Sequence, residues 1–431
     1  MPKTFTVWTL IALVVGNAVG AGIYTTSGFA LADLGSREWV VLAWFVAGLI
    51  ALMGALSYAM LVQNISESGG EYLYLSRSIH PVAGFVAGWI SLLAGFPGAI
   101  AFAATAFESY ARAAGLNLSF IPIDGLAVTV ILLAGAIHIV RVDLGAKLHE
   151  WIVVFMLLAL AIIVAVAFWQ FLESPNLPTP DPKPLARFSL LAFANSLVWI
   201  SLSYSGFNAA AYIAGEVSDA RSRVPKGMIY GTLLTIVLCL SVNVVILYSA
   251  APEHLQGQAD IATRAATAVG GQSVKRLVEI VIAISLLTSI TAMVLAGPRV
   301  YAKMAEDGVL PKFFGIRSGQ PPRTSIALQV ATALGLVLIA DLRGLLSYLG
   351  LTLSLCLALA VSSLFVQHWR SGLRPESRWY PAAPLIFVVC TVFFAVLTAI
   401  NEPKQFLAAL PTLLIGALMY FLSRLLRKLK E

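Results

Sequence analysis

An apolar segment near the start of the chain is interrupted by glycines where a membrane-spanning helix would be continuous. The apolar run over residues 8–30 is long enough to cross a bilayer, which takes about 20 apolar residues. At its centre lies the sequence GNAVGAGIY (residues 16–24), and each glycine costs a helix about 1 kcal/mol relative to alanine. Non-helical backbone at membrane depth is tolerated only where it is buried in protein or lines a cavity. The segment therefore predicts a broken spanning helix that exposes backbone groups to a solute, as in a transporter.

The composition leaves no room for a soluble domain of ordinary size. Of the 431 residues, 59% are hydrophobic and only 11% are charged, against about 25% charged in soluble domains. The sequence predicts an all-α integral membrane protein with twelve transmembrane helices. The candidate spans are 8–30, 39–62, 81–111, 123–140, 148–172, 190–215, 227–250, 277–300, 325–340, 344–366, 380–400 and 405–424. The longer connections are expected to include residues 63–80, 216–226 and 252–276.

The net charge of +7 is explained by membrane topology, and we expect no nucleic-acid partner. With the N-terminus in the cytoplasm, most Lys and Arg residues fall in loops on the cytoplasmic side, as the positive-inside rule requires. We therefore expect a protein of the plasma membrane with both termini in the cytoplasm. Cys239, Cys356 and Cys390 lie in apolar runs without metal-ligand or disulfide spacing, and no cofactor is expected.

A second span is interrupted near the middle of the chain. Within residues 190–215, the sequence SLSYSGFNA (residues 201–209) puts small and polar residues where a plain span would carry Leu and Ile. The interrupted spans are the first and the sixth, so they hold corresponding positions in two halves of five spans. Paired interruptions of this kind indicate an inverted-repeat transporter with a site at the midplane. We expect repeats at 1–172 and 190–366, followed by two further helices and a basic tail at 380–431.

Four motifs, in order along the chain, resemble the amino acid–polyamine–organocation superfamily, and within it the L-type and cationic amino acid transporters. They are GNAVGAGIY (16–24), SGGEYLY (68–74), RVP (223–225) and GPRVYAKMAEDGVLP (297–311). The resemblance implies a LeuT-like, five-plus-five inverted-repeat core in which helices 1 and 6 are discontinuous. It also implies alternating access, with an amino acid bound between the two broken helices.

Carried onto this chain, the resemblance assigns site residues at both breaks. A half-helix N-terminus carries partial positive charge and binds anions, whereas a C-terminus favours cations. The candidates for holding the substrate carboxylate are the backbone N–H groups of Gly20, Ala21, Gly22 and Ile23. The candidates for holding the ammonium are Leu202, Ser203, Ser205, Gly206 and Asn208. The candidates for bracing or gating the site, for which ordinary packing is an equal alternative, are Asn17, Tyr204 and Phe207.

Ion coupling is the least constrained part of the prediction. Proton-linked relatives carry a lysine in helix 5 where alignment places Met156, and a thioether cannot act as that cation. Some relatives carry an acidic residue where this chain has Asn208. Thr288 and Ser289 in helix 8 offer oxygens that suit sodium, although such hydroxyls also join helices. Glu108 is a candidate for a proton relay, with an i,i+4 ion pair to an arginine as the alternative.

The sequence as a whole predicts a secondary active transporter of a neutral L-amino acid, coupled to a proton, to sodium or to a counter-substrate. Because no charged residue falls plainly at mid-membrane, a cationic substrate side chain would be poorly matched. The alternatives are a permease or exchanger for cationic amino acids or polyamines, and a non-transporting amino acid sensor. An enzyme is not expected, because the sequence carries no metal cluster, nucleophile motif or convergent carboxylate pair.

Overall fold

The described part of the protein is built from helices. The computed structural model describes residues 5–114, 120–140, 142–173, 188–316, 320–339, 342–372, 374–401 and 411–422, and these ranges contain no strand. The helices are α1 (Val7–Ala18), α2 (Gly22–Leu34), α3 (Arg37–Asn64), α4 (Gly70–Ser78), α5 (Pro81–Ile90), α6 (Phe96–Ala113), α7 (Gly125–Val140), α8 (Val142–Glu173), α9 (Leu190–Ser203), α10 (Ala220–Tyr248), α11 (Pro252–Leu255), α12 (Ile261–Glu306), α13 (Arg323–Ile339), α14 (Leu342–Ser371), α15 (Ala382–Asn401) and α16 (Pro411–Leu422). A π-helical segment (Ser91–Gly95) joins α5 to α6, and a 3-10 helix (Ala209–Glu216) follows α9.

Each of the twelve predicted spans contains an apolar helix. In the described ranges, 6 helices are long and apolar enough to cross a membrane, and the bent pair of α1 and α2 makes up to 7. The other spans contain apolar helices of 10–17 residues. The all-α membrane fold is thus confirmed, whereas the count of twelve spans, the inverted repeat and the domain limits stay predictions. The predicted basic tail falls on residues 423–431, outside the described ranges.

The central position of α1 and the peripheral position of α8 follow from their exposure. Leu10, Leu13, Val14 and Val15 of α1 are fully buried, and the helix packs against α8, α10 and α12. Only 17% of the most apolar window of α8 is buried, against 78% for α12. A helix that is apolar on all sides and exposed in the protein must be covered by lipid. We therefore place α8 at the lipid boundary and α1 and α12 inside the bundle.

Three of the connections between the predicted spans contain helix, which the sequence analysis did not anticipate. Residues 63–80 contain α4, residues 216–226 contain the start of α10, and residues 252–276 contain α11 and the beginning of α12. The backbone of α12 leaves helical geometry at Gly270 and Gly271, where the chain kinks before the apolar stretch begins. Hydropathy marks only the apolar part of a helix, so polar helices and polar helix ends are missed.

A close backbone contact joins α2 to the turn after α11. The carbonyl of Gly28 accepts a hydrogen bond of 2.8 Å from the N–H of Gly257. A Cβ atom at position 28 would lie 2.0 Å from the carbonyl oxygen of Gln258, closer than any two such atoms can approach. Glycine is therefore required at position 28, because α2 lies directly against the backbone of the turn.

Candidate functional site

The first apolar span is interrupted at residues 19–21. α1 ends at Ala18 and α2 begins at Gly22, with a bend of 42° between them. The N–H groups of Gly22 and Ile23 lie in the first turn of α2, where a helix supplies no backbone acceptor and where no side chain caps this helix. The break therefore presents a helix N-terminus with partial positive charge, which can bind an anionic group.

The second interruption lies at residues 204–208, between α9 and the 3-10 helix. α9 ends at Ser203, and the N–H of Ser205 bonds to the carbonyl of Leu202 at 3.1 Å. Gly206 has a φ of 120°, a conformation that favours glycine. This break presents a helix C-terminus, whose carbonyl groups carry partial negative charge and can bind a cation.

The two breaks lie against each other. A Cβ atom on Gly22 would lie 2.3 Å from Ser203 Oγ and 3.3 Å from Ser203 Cα. A Cβ atom on Gly206 would lie 3.0 Å from the carbonyl carbon of Asn17 and 3.1 Å from the backbone nitrogen of Ala18. Because these glycines have no side chain, the N-terminal end of α2 reaches the C-terminal end of α9. The arrangement puts opposite partial charges side by side, as binding of a zwitterion requires.

The other candidates at the breaks divide into packed residues and residues with unused polar atoms. Tyr204 donates to the carbonyl of Trp44 at 3.1 Å, and Phe207 packs against other aromatic rings, so their positions are explained by packing. Asn17 Oδ1 and Ser201 Oγ are buried and have no hydrogen-bond partner among the described residues. A buried polar atom without a partner is costly, so these two atoms are suited to contact a solute. Ser205 is exposed, whereas Ala21 and Ile23 are buried.

Asn208 contacts a buried carboxylate that the sequence analysis did not single out. Its Nδ2 atom donates to Glu71 Oε1 at 2.7 Å and to the hydroxyl of Tyr212 at 3.0 Å. Glu71 also accepts from the hydroxyls of Tyr58, at 2.5 Å, and Tyr212, at 2.7 Å. The available signal was a charged residue within the motif SGGEYLY, but the partners of that residue are distant in sequence.

A buried ion pair, also missed from the sequence, lies at the end of the 3-10 helix. Arg299 Nε of α12 contacts Glu216 Oε1 at 2.8 Å, and the Arg299 side chain also donates to the carbonyl of Leu295. The Arg299 side chain is 1% exposed and that of Glu216 is 18% exposed. This pair fixes the segment that follows the second break to α12.

The hydroxyls of Thr288 and Ser289 lie in α12, which contains the eighth predicted span, and they converge on the backbone at the first break. Ser289 Oγ lies 3.0 Å from the carbonyl oxygen of Gly16 and 3.4 Å from that of Val19, and Thr288 Oγ1 lies 3.3 Å from the Gly16 oxygen. These are hard oxygen atoms of the kind that suit sodium, although Met156 Sδ, a soft atom, lies 3.8 Å from Thr288 Oγ1. In the described parts of the chain, no three His, Cys, Asp or Glu side chains group as metal ligands.

Glu108 lies at a helix cap, apart from the two breaks. It pairs with Arg112 at 2.6 Å, as the i,i+4 alternative expected. Its carboxylate oxygens also accept from the N–H groups of Asp124, Leu126 and Ala127 at 3.0–3.1 Å, which caps the start of α7. These bonds account for the burial of the carboxylate, and the proton-relay role of Glu108 stays a prediction.

Comparison with known proteins identifies the family. Residues 5–422 match the sequence profile of a family described as amino acid permease. The chain belongs to the amino acid permease family. The permease is similar to the large neutral amino acids transporter small subunit 2 of Homo sapiens, with 25% identity over 95% of this chain and 78% of the relative. It is also similar to the Asc-type amino acid transporter 1 of Mus musculus, with 23% identity over 95% of this chain and 79% of the relative. The serine/threonine exchanger SteT of Bacillus subtilis (strain 168) is 24% identical over 77% of this chain and 75% of its own length.

The match covers all four sequence motifs and confirms the resemblance that was drawn from them. The permease is an integral membrane protein, since its family and its apolar helices agree. The family and the relatives named above are transporters and not enzymes.

Proposed function

We propose that the permease is a secondary active transporter that moves a neutral L-amino acid across the plasma membrane by alternating access. The observation that carries the proposal is the contact between the two breaks, with Gly22 against Ser203. The substrate carboxylate binds the first-turn N–H groups of α2, and the ammonium binds carbonyl groups at the end of α9. Recognition of the backbone zwitterion is thereby separate from recognition of the side chain.

The preference for a neutral side chain rests on the charges near the breaks. Glu71 is the buried carboxylate bonded to the second break, and it already accepts from Tyr58, Asn208 and Tyr212. These donors occupy three of the about four acceptor sites of the carboxylate, so a cationic substrate side chain would have to share Glu71 with them. Relatives named for neutral amino acids and for serine and threonine support the same preference.

The coupling ion is proposed on the chemistry of the first break. The oxygens of Gly16, Val19, Thr288 and Ser289 fit sodium better than they fit a proton, since none of them titrates near neutral pH. Coupling to a counter-substrate is the alternative, supported by the exchanger among the relatives. Both termini are assigned to the cytoplasm on the positive-inside pattern.

The test is flux of radiolabelled amino acids into proteoliposomes that contain the purified permease. Leucine and serine represent neutral substrates, and arginine and putrescine represent cationic substrates with and without a carboxyl group. Sodium, a pH gradient and an internal counter-substrate are each varied alone. We expect flux of a neutral amino acid that an unlabelled neutral amino acid suppresses. Preference for arginine or putrescine contradicts the proposal, and saturable binding without flux assigns the protein to the sensor class.

A further inference from the structure

Glu71 is a buried carboxylate held by uncharged donors. It is 5% exposed, and its partners are the hydroxyls of Tyr58 and Tyr212 and the amide of Asn208. Among the residues that the structure describes, no Lys, Arg or His pairs with it. Glu71 lies in the first turn of α4, where the helix dipole also favours negative charge. In the part of the chain that the structure describes, its carboxylate oxygens accept all three of these hydrogen bonds.

The acceptor oxygens of Glu71 determine which way the amide of Asn208 points. A carboxylate accepts hydrogen bonds and donates none, so Asn208 must turn its NH2 group towards Glu71. One Nδ2 hydrogen goes to Glu71 Oε1 at 2.7 Å and the other to the hydroxyl of Tyr212 at 3.0 Å. With both hydrogens in use, Oδ1 is the remaining polar atom of the amide, and none of the described residues is hydrogen-bonded to it.

We propose that Glu71 is a positioning residue that fixes Asn208 so that its Oδ1 accepts a hydrogen bond from the substrate ammonium. This inference rests on the proposed function, because it assigns one further contact in the same site. Asn208 directly follows the turn at residues 204–207 and precedes the 3-10 helix, so its side chain belongs to the second break. Glu71 acts on the substrate only through Asn208.

The need for a positioning residue follows from the near symmetry of an amide group. The oxygen and nitrogen of an asparagine side chain have similar size, and only their hydrogen-bond partners distinguish the two orientations. The hydroxyl of Tyr212 donates its one hydrogen to Glu71, so towards Asn208 it can only accept, and it supports the orientation that Glu71 sets. In Glu71→Gln, the new amide offers both a donor and an acceptor. Asn208 is then free to turn its NH2 group towards the ammonium, where two donors oppose each other.

The experiment compares Glu71→Gln, Asn208→Ala and the double variant in proteoliposomes, with KM, maximal rate and melting temperature measured for each. We expect Asn208→Ala to raise KM for a neutral amino acid about tenfold, the effect of one lost hydrogen bond to a charged group, and Glu71→Gln to raise KM between about twofold and tenfold, because the amide then adopts both orientations. Because both changes act on the same contact, the double variant should match Asn208→Ala to within about twofold. Asp307→Asn is the matched control, since Asp307 accepts from the hydroxyl of Tyr72 at 2.9 Å outside the break, and its KM should stay unchanged.

Several results would overturn the inference. One is a wild-type KM in Glu71→Gln, and another is a double variant whose KM is the product of the two single effects. The titratable groups that face Glu71 are Tyr58 of α3, Tyr212 of the 3-10 helix, Cys356 of α14 and Tyr74 of its own helix. If Glu71→Gln abolishes a pH dependence of flux that the wild type shows, Glu71 carries a proton and is not a positioning residue.

A second variant covers the case in which Glu71→Gln does not fold. Tyr212→Phe removes the hydroxyl that holds both Asn208 and Glu71, and it should raise KM in the wild-type background but not in Asn208→Ala. If Tyr212→Phe raises KM equally in the wild-type and the Asn208→Ala backgrounds, the inference is overturned. If the wild type binds no neutral amino acid, the proposed function fails. If the wild type binds one and the Glu71 and Tyr212 variants bind it equally well, only the positioning role of Glu71 fails.

Discussion

Gly22→Val tests the contact on which the substrate site depends. A Cβ atom at this position would lie 2.3 Å from Ser203 Oγ, 3.1 Å from Ser203 Cβ and 3.3 Å from Ser203 Cα. Rotation of the hydroxyl relieves the first contact, but the two methyl groups of valine also need space that the backbone of α9 occupies. α2 and α9 must therefore separate by about 1 Å, and a displacement of this size at a reacting or binding centre costs about 100-fold. We expect the apparent affinity for a neutral amino acid to fall by about that factor.

The assay is concentration-dependent flux in proteoliposomes, with the melting temperature in detergent measured in parallel. Gly335→Val in α13 is the matched control, since a Cβ atom there meets no atom within 4 Å. A compensating pair provides a further check. Ser203→Gly removes the two closest side-chain atoms, so the double variant Gly22→Ala with Ser203→Gly should bind a neutral amino acid more tightly than Gly22→Ala alone. Wild-type affinity in a folded Gly22→Val protein would refute the assignment of the carboxylate site to the α2 N-terminus.

Three further predictions concern stability, measured as melting in detergent. Ser289→Ala should destabilise the protein by about 1 kcal/mol, because its hydroxyl bonds a carbonyl of the first break; an unchanged melting temperature would contradict that role. Glu216→Ala should cost about 3 kcal/mol because it leaves Arg299 buried without a counter-ion, and Glu216→Ala combined with Arg299→Met should recover part of the loss. The Lys303 ammonium lies 2.6 Å from Glu67 and lowers the pKa of Glu67 below its ordinary 4.5. The ion pair therefore stabilises the protein above pH 4.5, and this stabilisation is lost as the pH falls through the lowered pKa. Glu67→Gln and the wild type should therefore differ at neutral pH and converge in acid, and a constant difference would contradict the assignment.

The helix interruptions were predictable from the sequence because they depend on local chemistry. Glycines in GNAVGAGIY and small polar residues in SLSYSGFNA weaken the helix wherever the segment is placed, and the structure has breaks at residues 19–21 and 204–208. The ion pair of Glu108 with Arg112 was predictable for the same reason, since four residues separate its members on one helix.

The contacts between distant segments were not predictable in this way. Glu71 has the appearance of a loop charge in the sequence, and its burial arises from Tyr58, Asn208 and Tyr212, which come from other elements. Arg299 likewise looked like part of a motif, and only the fold puts it beside Glu216. A hydropathy profile does not show which residues contact each other in the fold. It therefore cannot show that a buried polar group has hydrogen-bond partners in distant segments.

The contact between α2 and the turn after α11 has a mechanical consequence. Gly257 is hydrogen-bonded to Gly28, and the backbone of Gln258 lies against the same glycine. No side chain therefore separates the two backbones at this point. Any movement of α2 relative to the rest of the bundle would therefore have to carry this turn with it. The contact therefore couples the position of α2, which follows the first break, to that of residues 257 and 258.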